Sequence, residues 1–288
     1  MRGTAKRDGV RLAYEVEGTG DRTIVLLPAW MVTNRLMWRP QVTALAQRFR
    51  VVTFDSRGSG ESDRPVEASA YAPEELAADV LAVLDATETP RALLVGNSLG
   101  GLVGLLVAAT SPQRVAGLAL IGPTVDVTGT APSALQLATT LFEENLEGLD
   151  GWARYNRRSW EWDYPGFVSW FVSTALGPEA TGEDRAAGIA AGLDNTPEVL
   201  AATVAHRAGT DRAGQATRSR AVAGRVRCPA LVLHGGRDEI CPPEWGRALA
   251  GLLGARHVEL AGAGHCPHVT RAATTSALLA EFATEVWR

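Results

Sequence analysis

Short apolar runs recur in both halves of the chain and predict β-strands. Residues 9–18 alternate between apolar and polar side chains, which is typical of a strand with one buried face. Residues 23–28 are almost entirely apolar, as in a central strand that is covered on both faces. Further strands are predicted over residues 50–55, 91–95, 117–121, 229–234 and 256–260.

Helix-forming stretches separate most of these runs. We expect a helix from about residue 34 to 47, and one that begins at Pro73-Glu74-Glu75, since proline and acidic residues suit a first turn. Strands that alternate with helices are joined by right-handed crossovers and form a mostly parallel sheet. The pattern predicts an α/β fold with its chemistry at the carboxyl ends of the strands. Other predicted helices end near residue 110 and span about 243–253 and 271–287.

The alternation breaks between residues 125 and 223, which we call the insertion. Four of the eight tryptophans of the chain lie between residues 152 and 170. Such rings either pack a helical insertion against the core or form the apolar inner face of a lid over a binding site. The second interpretation predicts substrate contacts for Trp160, Trp162 and Trp170.

Residues 94–101 carry the clearest chemical signal. An apolar strand turns here through Gly96-Asn97-Ser98-Leu99-Gly100 and continues into a helical pattern. A reversal this sharp strains the central residue, and glycine two positions before and after it avoids a collision. Ser98 is therefore the predicted nucleophile. The backbone N–H of Leu99 lies at a helix N-terminus, where it would stabilise developing negative charge.

A serine nucleophile needs a base, and the base needs an acid that orients it. His265 lies in a loop after the last predicted strand, and Asp238 follows the strand before it. Parallel strands would bring both side chains to the sheet edge above Ser98. Asp126, just past residues 117–121, is the alternative acid.

Four stretches, in this order, resemble the α/β-hydrolase superfamily. Residues 55–62 are similar to its Asp-x-Arg-Gly-x-Gly-x-Ser signature, and residues 96–101 look like its nucleophile elbow. Residues 235–238 look like its acid turn, and Gly264-His265 like its histidine loop. The resemblance covers nearly the whole chain and supports the order Ser, Asp, His for the catalytic residues.

This resemblance implies an eight-stranded, mostly parallel sheet flanked by helices, with a helical lid inserted after the sixth strand. The α/β-hydrolase core would then span residues 1–124 and 224–288, and the lid residues 125–223. The family's second oxyanion donor corresponds by position to Trp30. The chain reads Pro28-Ala29 where the family has His-Gly, so the loop that carries this donor departs from the pattern.

The remaining histidines compete for other roles. His268 follows His265 by three residues, and we expect it to contact substrate rather than a metal ion. His206 and His257 read as surface or packing residues, whereas His234, at a strand end, could line the site. We predict no metal and no cofactor, because neither a G-x-G-x-x-G nor a Walker motif occurs.

Composition narrows the class of protein. The net charge is −4, and the 28 basic residues are scattered, without the stripe that nucleic-acid binding would need. Three cysteines without a C-x-x-C motif indicate a reducing compartment, and no apolar run reaches the roughly 20 residues of a membrane span. We expect a cytoplasmic protein that binds a small hydrophobic substrate but no nucleic acid or membrane. Whether it forms a homodimer stays open.

These observations predict a cofactor-independent serine hydrolase that cleaves an ester or lactone through an acyl-enzyme. The aromatic residues of the insertion favour a substrate with a bulky apolar or aromatic part. The asparagine beside the serine, Asn97, is similar to the residue at this place in the carbon–carbon bond hydrolases of the family. Cleavage of a carbon–carbon bond is therefore the nearest alternative function. The same fold also serves lyases, haloperoxidases, cofactor-free oxygenases and ligand receptors.

Overall fold

Eight strands form one sheet at the centre of the molecule. The computed structural model describes residues 1–130, 132–146, 148, 150–205 and 212–288. The sheet confirms the predicted α/β class. Its strands are β1 (Arg2–Arg7), β2 (Val10–Glu17), β3 (Thr23–Leu27), β4 (Arg50–Phe54), β5 (Ala92–Asn97), β6 (Val115–Ile121), β7 (Ala230–Gly235) and β8 (Arg256–Leu260).

The strands are arranged in the order β1-β2-β4-β3-β5-β6-β7-β8. All neighbours from β4 to β8 pair in parallel, whereas β1 with β2 and β2 with β4 pair antiparallel. The sheet is therefore mostly parallel, as expected. The carboxyl ends of β5, β6 and β7 lie side by side at one edge, where a site can collect side chains from separate parts of the chain.

Strand β1 is the element that the apolar pattern did not indicate, because its side chains are mostly polar and exposed. It pairs with β2 through a tight turn at Asp8-Gly9, whose φ angles are 49° and 81°. Asp-Gly is a favoured pair for this type of hairpin turn. That dipeptide, next to the alternating run of β2, is the signal that predicts an additional strand.

Helices cover both faces of the sheet. Ile24 and Leu26 point to the face covered by the first and last helices, and Val25 and Leu27 to the opposite face. The expected helix over 34–47 is a 3-10 turn (Arg35–Trp38) followed by α1. The helices outside the insertion are α1 (Arg39–Leu45), α2 (Pro73–Ala86), α3 (Leu99–Thr110), α9 (Pro243–Leu253), α10 (Pro267–Thr270) and α11 (Ala272–Val286).

The described part of the insertion between β6 and β7 contains five α-helices and loop segments but no strand. Asp163 leaves the helical conformation just before Pro165, so the longest of its helices, α5, is kinked. The assignment of residues 125–223 as a separate lid domain stays a prediction. The helices of the insertion are α4 (Ala134–Thr140), α5 (Arg157–Leu176), α6 (Gly182–Leu193), α7 (Pro197–Ala205) and α8 (Arg212–Ala223).

The motif at residues 55–62 holds the loop after β4. The Asp55 carboxylate accepts hydrogen bonds from the amides of Arg35 (2.8 Å) and Glu61 (3.0 Å), and it pairs with the Arg35 guanidinium. Arg57 pairs with buried Asp79 of α2 at 2.6 Å. A buried charge is stable only when it is paired, so these arginines explain how Asp55 and Asp79 can be buried.

Within the part of the chain that the structure describes, no helix has the length and apolar character needed to cross a membrane.

Candidate active site

Ser98 occupies the turn between β5 and α3 with φ 54° and ψ −118°, a conformation that is rare for a residue with a side chain. The glycines on either side make the turn possible, because a Cβ on Gly96 would collide with the backbone of Gly100. The Ser98 amide is held by the carbonyl of Ile121 at 2.9 Å. The strained turn thus has the geometry expected from the sequence.

Asp238 and His265 meet beyond the end of β7. His265 Nδ1 lies 2.7 Å from Asp238 Oδ2, and both side chains are almost completely buried. The other carboxylate oxygen accepts hydrogen bonds from the amides of Ile240 and Cys241, each at 2.8 Å. These bonds orient the carboxylate toward the imidazole.

Asp126, the alternative acid, has other partners. Its Oδ1 accepts hydrogen bonds from the amide and hydroxyl of Thr128 (2.7 and 2.6 Å) and from the amide of Gly129 (3.0 Å). The carboxylate closes its own turn, in the manner of aspartates in loops. Between the two acids, the geometry favours Asp238 as the partner of His265.

A second histidine contacts the same carboxylate. His234 is fully buried, and its Nε2 lies 2.9 Å from the carbonyl of Cys241 and 3.2 Å from Asp238 Oδ2. Burial alone would raise the pKa of Asp238, but His265 and His234 outweigh it and hold that pKa below its usual range. The acid is therefore ionised at neutral pH.

Ser98 Oγ lies 3.0 Å from Thr124 Oγ1, and the described residues show no hydrogen bond between it and His265. Ser98 and His265 nevertheless line the same cavity. Catalytic hydrogen bonds are often long or absent without substrate, so this geometry is compatible with a serine–histidine pair.

Asn97 joins the serine turn to the histidine loop. Its amide nitrogen donates to the carbonyls of Ile121 (3.0 Å) and His265 (3.1 Å). Both amide hydrogens are thus directed at backbone groups. The side chain of Asn97 fixes the loop that carries His265 relative to the strand that carries Ser98.

The loop after β3 approaches the serine turn closely. A Cβ on Gly100 would lie 2.5 Å from the carbonyl oxygen of Pro28, so only glycine leaves room for this loop. Among the described residues, the amides of Trp30 and Leu99 donate no hydrogen bond to a protein acceptor. Two unpaired donors beside Ser98 suit an oxyanion hole.

The indole of Trp30 extends from the sheet into the insertion. Its Nε1 donates to Thr203 of α7 at 2.7 Å, and its ring packs on Phe171 with a centroid distance of 5.1 Å. Both rings contribute to the wall of a cavity of about 590 Å³ that also contains Ser98 and His265. This volume lies within the usual range for small-molecule sites.

The structure places the three aromatic residues that were predicted to contact substrate away from this cavity. Trp160 is buried within the insertion and donates to the carbonyl of Arg154 at 2.9 Å, whereas Trp162 is 76% exposed. Trp170 packs edge-to-face on Trp152 with a centroid distance of 5.2 Å. None of the three lines the cavity, so the packing interpretation explains Trp160 and Trp170.

His268 is also placed away from the cavity wall. It is fully buried against Trp38, with a ring-centroid distance of 4.4 Å. Burial and the nearby His265 lower the pKa of His268 to about 3, so its ring is neutral. Helix α10 directs this side chain into the core. His257 is half-buried, and His206 lies outside the described residues.

Phe171, Thr124 and Ala191 line or adjoin the site without having been singled out from the sequence. Phe171 belongs to the aromatic set, but that pattern alone does not tell which of the rings faces the cavity. Thr124 follows β6 just as Asp238 follows β7. Its position after a strand that neighbours the serine strand is the signal that would have identified it.

Comparison with known proteins agrees with the fold. A family model described as "alpha/beta hydrolase fold" matches residues 22–272. "Putative carbamate hydrolase RutD" of Variovorax paradoxus is 46% identical over 111 residues, which cover 38% of this chain and 41% of that protein. The chain spans about two fifths of the length of the first such relatives.

Two similarities extend over almost the whole chain. The "3-oxoadipate enol-lactonase 2" of Acinetobacter baylyi is 27% identical and is covered over 90% of its length by 92% of this chain. The solved structure of Est816, described as an N-acyl homoserine lactone degrading enzyme, is 26% identical. It superposes with a TM-score of 0.76 over 97% of this chain and 100% of that one. By the match of its sequence and its sheet, the chain belongs to the α/β-hydrolase fold family.

Proposed function

We propose that this protein is a serine hydrolase that cleaves a carboxylic ester or lactone through an acyl-enzyme. One observation carries the proposal: a single cavity brings together the strained Ser98 and His265, whose other ring nitrogen is held by Asp238. A nucleophile, a base and an orienting acid are the groups that acyl transfer requires.

In the first step, His265 Nε2 removes the proton of Ser98 as Oγ attacks the substrate carbonyl carbon. The carbonyl π electrons move to oxygen, and the resulting oxyanion accepts hydrogen bonds from the amides of Leu99 and Trp30. Asp238 stabilises the imidazolium that forms, because it is ionised and lies 2.7 Å from Nδ1.

Collapse of this intermediate breaks the bond to the leaving oxygen, which takes the proton from His265 Nε2. The product alcohol departs, or stays attached when the substrate is a lactone. Water then gives a proton to His265 and attacks the acyl-enzyme, and a second collapse returns the proton to Ser98 Oγ. The acid is released and the free enzyme is restored.

Thr124 holds Ser98 Oγ before substrate arrives. The two hydroxyl oxygens are 3.0 Å apart, and Cys241 Sγ lies 3.6 Å from Thr124 Oγ1. We therefore expect the serine side chain to rotate toward His265 when substrate enters. The hydrogen bond to Thr124 is the one that must break.

The choice of ester or lactone follows from two considerations. The relatives that align over nearly the whole chain include an enol-lactonase and an enzyme that degrades N-acyl homoserine lactones. Asn97, which suggested carbon–carbon bond cleavage, directs its amide hydrogens at two backbone carbonyls. This use of the amide gives carbon–carbon cleavage no specific support over ester cleavage.

The setting that we propose is the cytoplasm. No disulfide joins the three cysteines, all of which lie in the described part of the chain, and this suits a reducing compartment. Burial raises the pKa of Cys266, beside His265, so that thiol is a packing group rather than a competing nucleophile.

A serine-directed fluorophosphonate tests the nucleophile. Mass spectrometry should show one adduct on the Ser98 peptide, and Ser98→Ala should lose both the adduct and hydrolysis of p-nitrophenyl acetate. Ser111→Ala, after the last residue of α3, is the matched control and should keep both. Undiminished labelling or hydrolysis in Ser98→Ala would contradict the proposal. A protein that binds esters without cleaving them would be a receptor.

A further inference from the structure

Most of the residues that line the cavity are apolar or small. Ser98 and His265 lie at the inner end, whereas Arg39 and Glu183 are exposed at the outer end. Apolar and small residues form most of the wall, among them Trp30, Val32, Phe171, Leu176, Ala187 and Ala191. The other polar residues of the wall are Thr33, Asn34, Asn97 and Asp184. Burial of an ion or amide against the apolar part of the wall would leave it without hydrogen bonds, which costs free energy.

Helix α6 forms one long side of this cavity. Its wall residues extend from Glu183 to Ala191, which is about 12 Å at the rise of an α-helix. Ala187 and Ala191 lie one turn apart on this side. A side chain larger than alanine at either position would project into the space beside the helix.

The closeness of α6 to α5 has a separate cause. A Cβ on Gly188 would lie 2.7 Å from Val172 Cγ1, and one on Gly192 would lie 2.5 Å from Val168 Cγ1. These glycines allow the two helices to pack together, so they maintain the position of the wall. The width of the cavity beside α6 then depends on Ala187 and Ala191.

We propose that the site takes substrates with an unbranched, uncharged hydrocarbon chain, that this chain lies along α6, and that Ala187 and Ala191 set its permitted length. This inference rests on the proposed serine hydrolase. The chain is attached either to the scissile carbonyl or to the leaving oxygen. Burial of each added methylene should raise kcat/KM about fourfold until the cavity is filled.

Two series of straight-chain esters test the proposal, one lengthened from two to twelve carbons on the acyl side and the other on the alcohol side. In one series, wild-type kcat/KM should rise with length by at least 100-fold. Ala191→Leu and Ala187→Leu should lower kcat/KM for the ten-carbon ester at least tenfold and leave the two-carbon ester within twofold. The series that rises identifies the side of the bond that faces α6.

Ala186→Leu is the matched control, because residue 186 is exposed on the same helix and lies outside the cavity wall. It should keep the wild-type profile, and melting temperatures should show that all three variants fold. Ala187 is itself exposed, so a leucine there is compatible with folding even if Ala191→Leu is not. Flat profiles in both series, or equal losses on short and long esters, would overturn the proposal.

Binding without turnover separates this inference from the proposed function. Ser98→Ala protein is titrated with the ten-carbon esters and monitored by calorimetry. Tight binding that Ala191→Leu weakens tenfold supports the chain site even if wild type cleaves no ester, in which case only the hydrolase proposal fails. Ser98-dependent cleavage of the two-carbon ester without binding of the ten-carbon esters would reject the chain site alone.

Discussion

At the scale of single residues, the contrast between two buried aspartates shows how surroundings assign a role. Asp238 accepts bonds from two backbone amides on one oxygen and faces two histidines with the other. Asp126 instead accepts hydrogen bonds on its Oδ1 from two amides of the turn that follows it. Only Asp238 can hold an imidazole in one tautomer and stabilise its charge.

Asp238→Asn should therefore lower kcat by about 10³–10⁴-fold with the fold retained, because an amide can hold His265 in the wrong tautomer. Steady-state hydrolysis of p-nitrophenyl acetate measures the loss, and circular dichroism checks the fold. Asp126→Asn, the matched control, should keep kcat within a few-fold. The reverse pattern would mean that the acid is Asp126.

His268 predicts a pH dependence of stability. Its pKa is about 3 in the folded protein, against an ordinary value of 6.5. At pH values between 3 and 6.5, His268 binds a proton in the unfolded chain but not in the folded one. Stability therefore falls as the pH decreases through 6.5 toward 3. At pH 5.5 this one group should cost about 1.4 kcal/mol of the free energy of unfolding.

Urea unfolding of wild type and His268→Phe at pH 7.5 and 5.5 measures this contribution. The variant should lose about 1.4 kcal/mol less than wild type over that interval. His257 is half-buried, and burial lowers its pKa as well. Because water still reaches part of this side chain, His257→Phe should change the pH dependence less. Parallel pH dependences for wild type and His268→Phe would contradict the assignment.

At the scale of elements, the approach of the β3 loop to the serine turn decides the oxyanion site. Gly100 lies in the first turn of α3 and leaves room for the Pro28 carbonyl. The departure from the family's His-Gly pattern at Pro28-Ala29 is therefore accommodated without separating Trp30 from Ser98. Both residues line the same cavity.

Gly100→Ala should displace this loop and move the Trp30 amide away from the oxyanion. Loss of one such donor lowers kcat about 10²–10³-fold, and KM should change little, since the bond forms mainly in the transition state. Gly104→Ala is the control on the same helix. Its added Cβ would meet only the side-chain ends of Leu118 and Leu27 at 3.1 Å. Equal effects of the two substitutions would argue against a specific role for the loop.

At the scale of the whole molecule, Trp30 connects the sheet to the insertion. Its ring lies among Phe171, Phe167 and Tyr155, and its Nε1 bonds the buried hydroxyl of Thr203. The same residue thus supplies a candidate oxyanion amide, a wall of the cavity and a contact with α7. Movement of the insertion would change all three together.

Thr203→Val should break the indole hydrogen bond and leave a buried donor without a partner, which costs about 1–3 kcal/mol. Hydrogen exchange should show faster opening of α7. KM for long-chain esters should rise more than KM for p-nitrophenyl acetate. Arg64→Gln, which removes an exposed ion pair to Asp194, is the control and should change stability by less than about 1 kcal/mol. Unchanged exchange in α7 would mean that this bond does not hold the insertion.

The amino-acid sequence by itself determined the features that depend on short-range geometry. Continuous apolar runs separated by helices indicate a parallel sheet, because only covered strands can be apolar on both faces. The Gly-x-Ser-x-Gly turn follows in the same way, since the collision between residues 96 and 100 is local. Strand β1 was not predicted from the apolar pattern, because its mostly polar residues are held by backbone pairing with β2 rather than by burial of side chains.

Only the tertiary structure decided which distant groups meet. The choice of Asp238 over Asp126 depends on loops that converge on His265 from separate strands. The places of the aromatic rings also differ along the kinked helix α5, since Trp162 is exposed before the kink and Phe171 lines the cavity after it. The composition of the insertion shows that aromatic residues are present but not where their side chains point. That direction follows from backbone geometry and packing, to which residues far apart in the chain contribute.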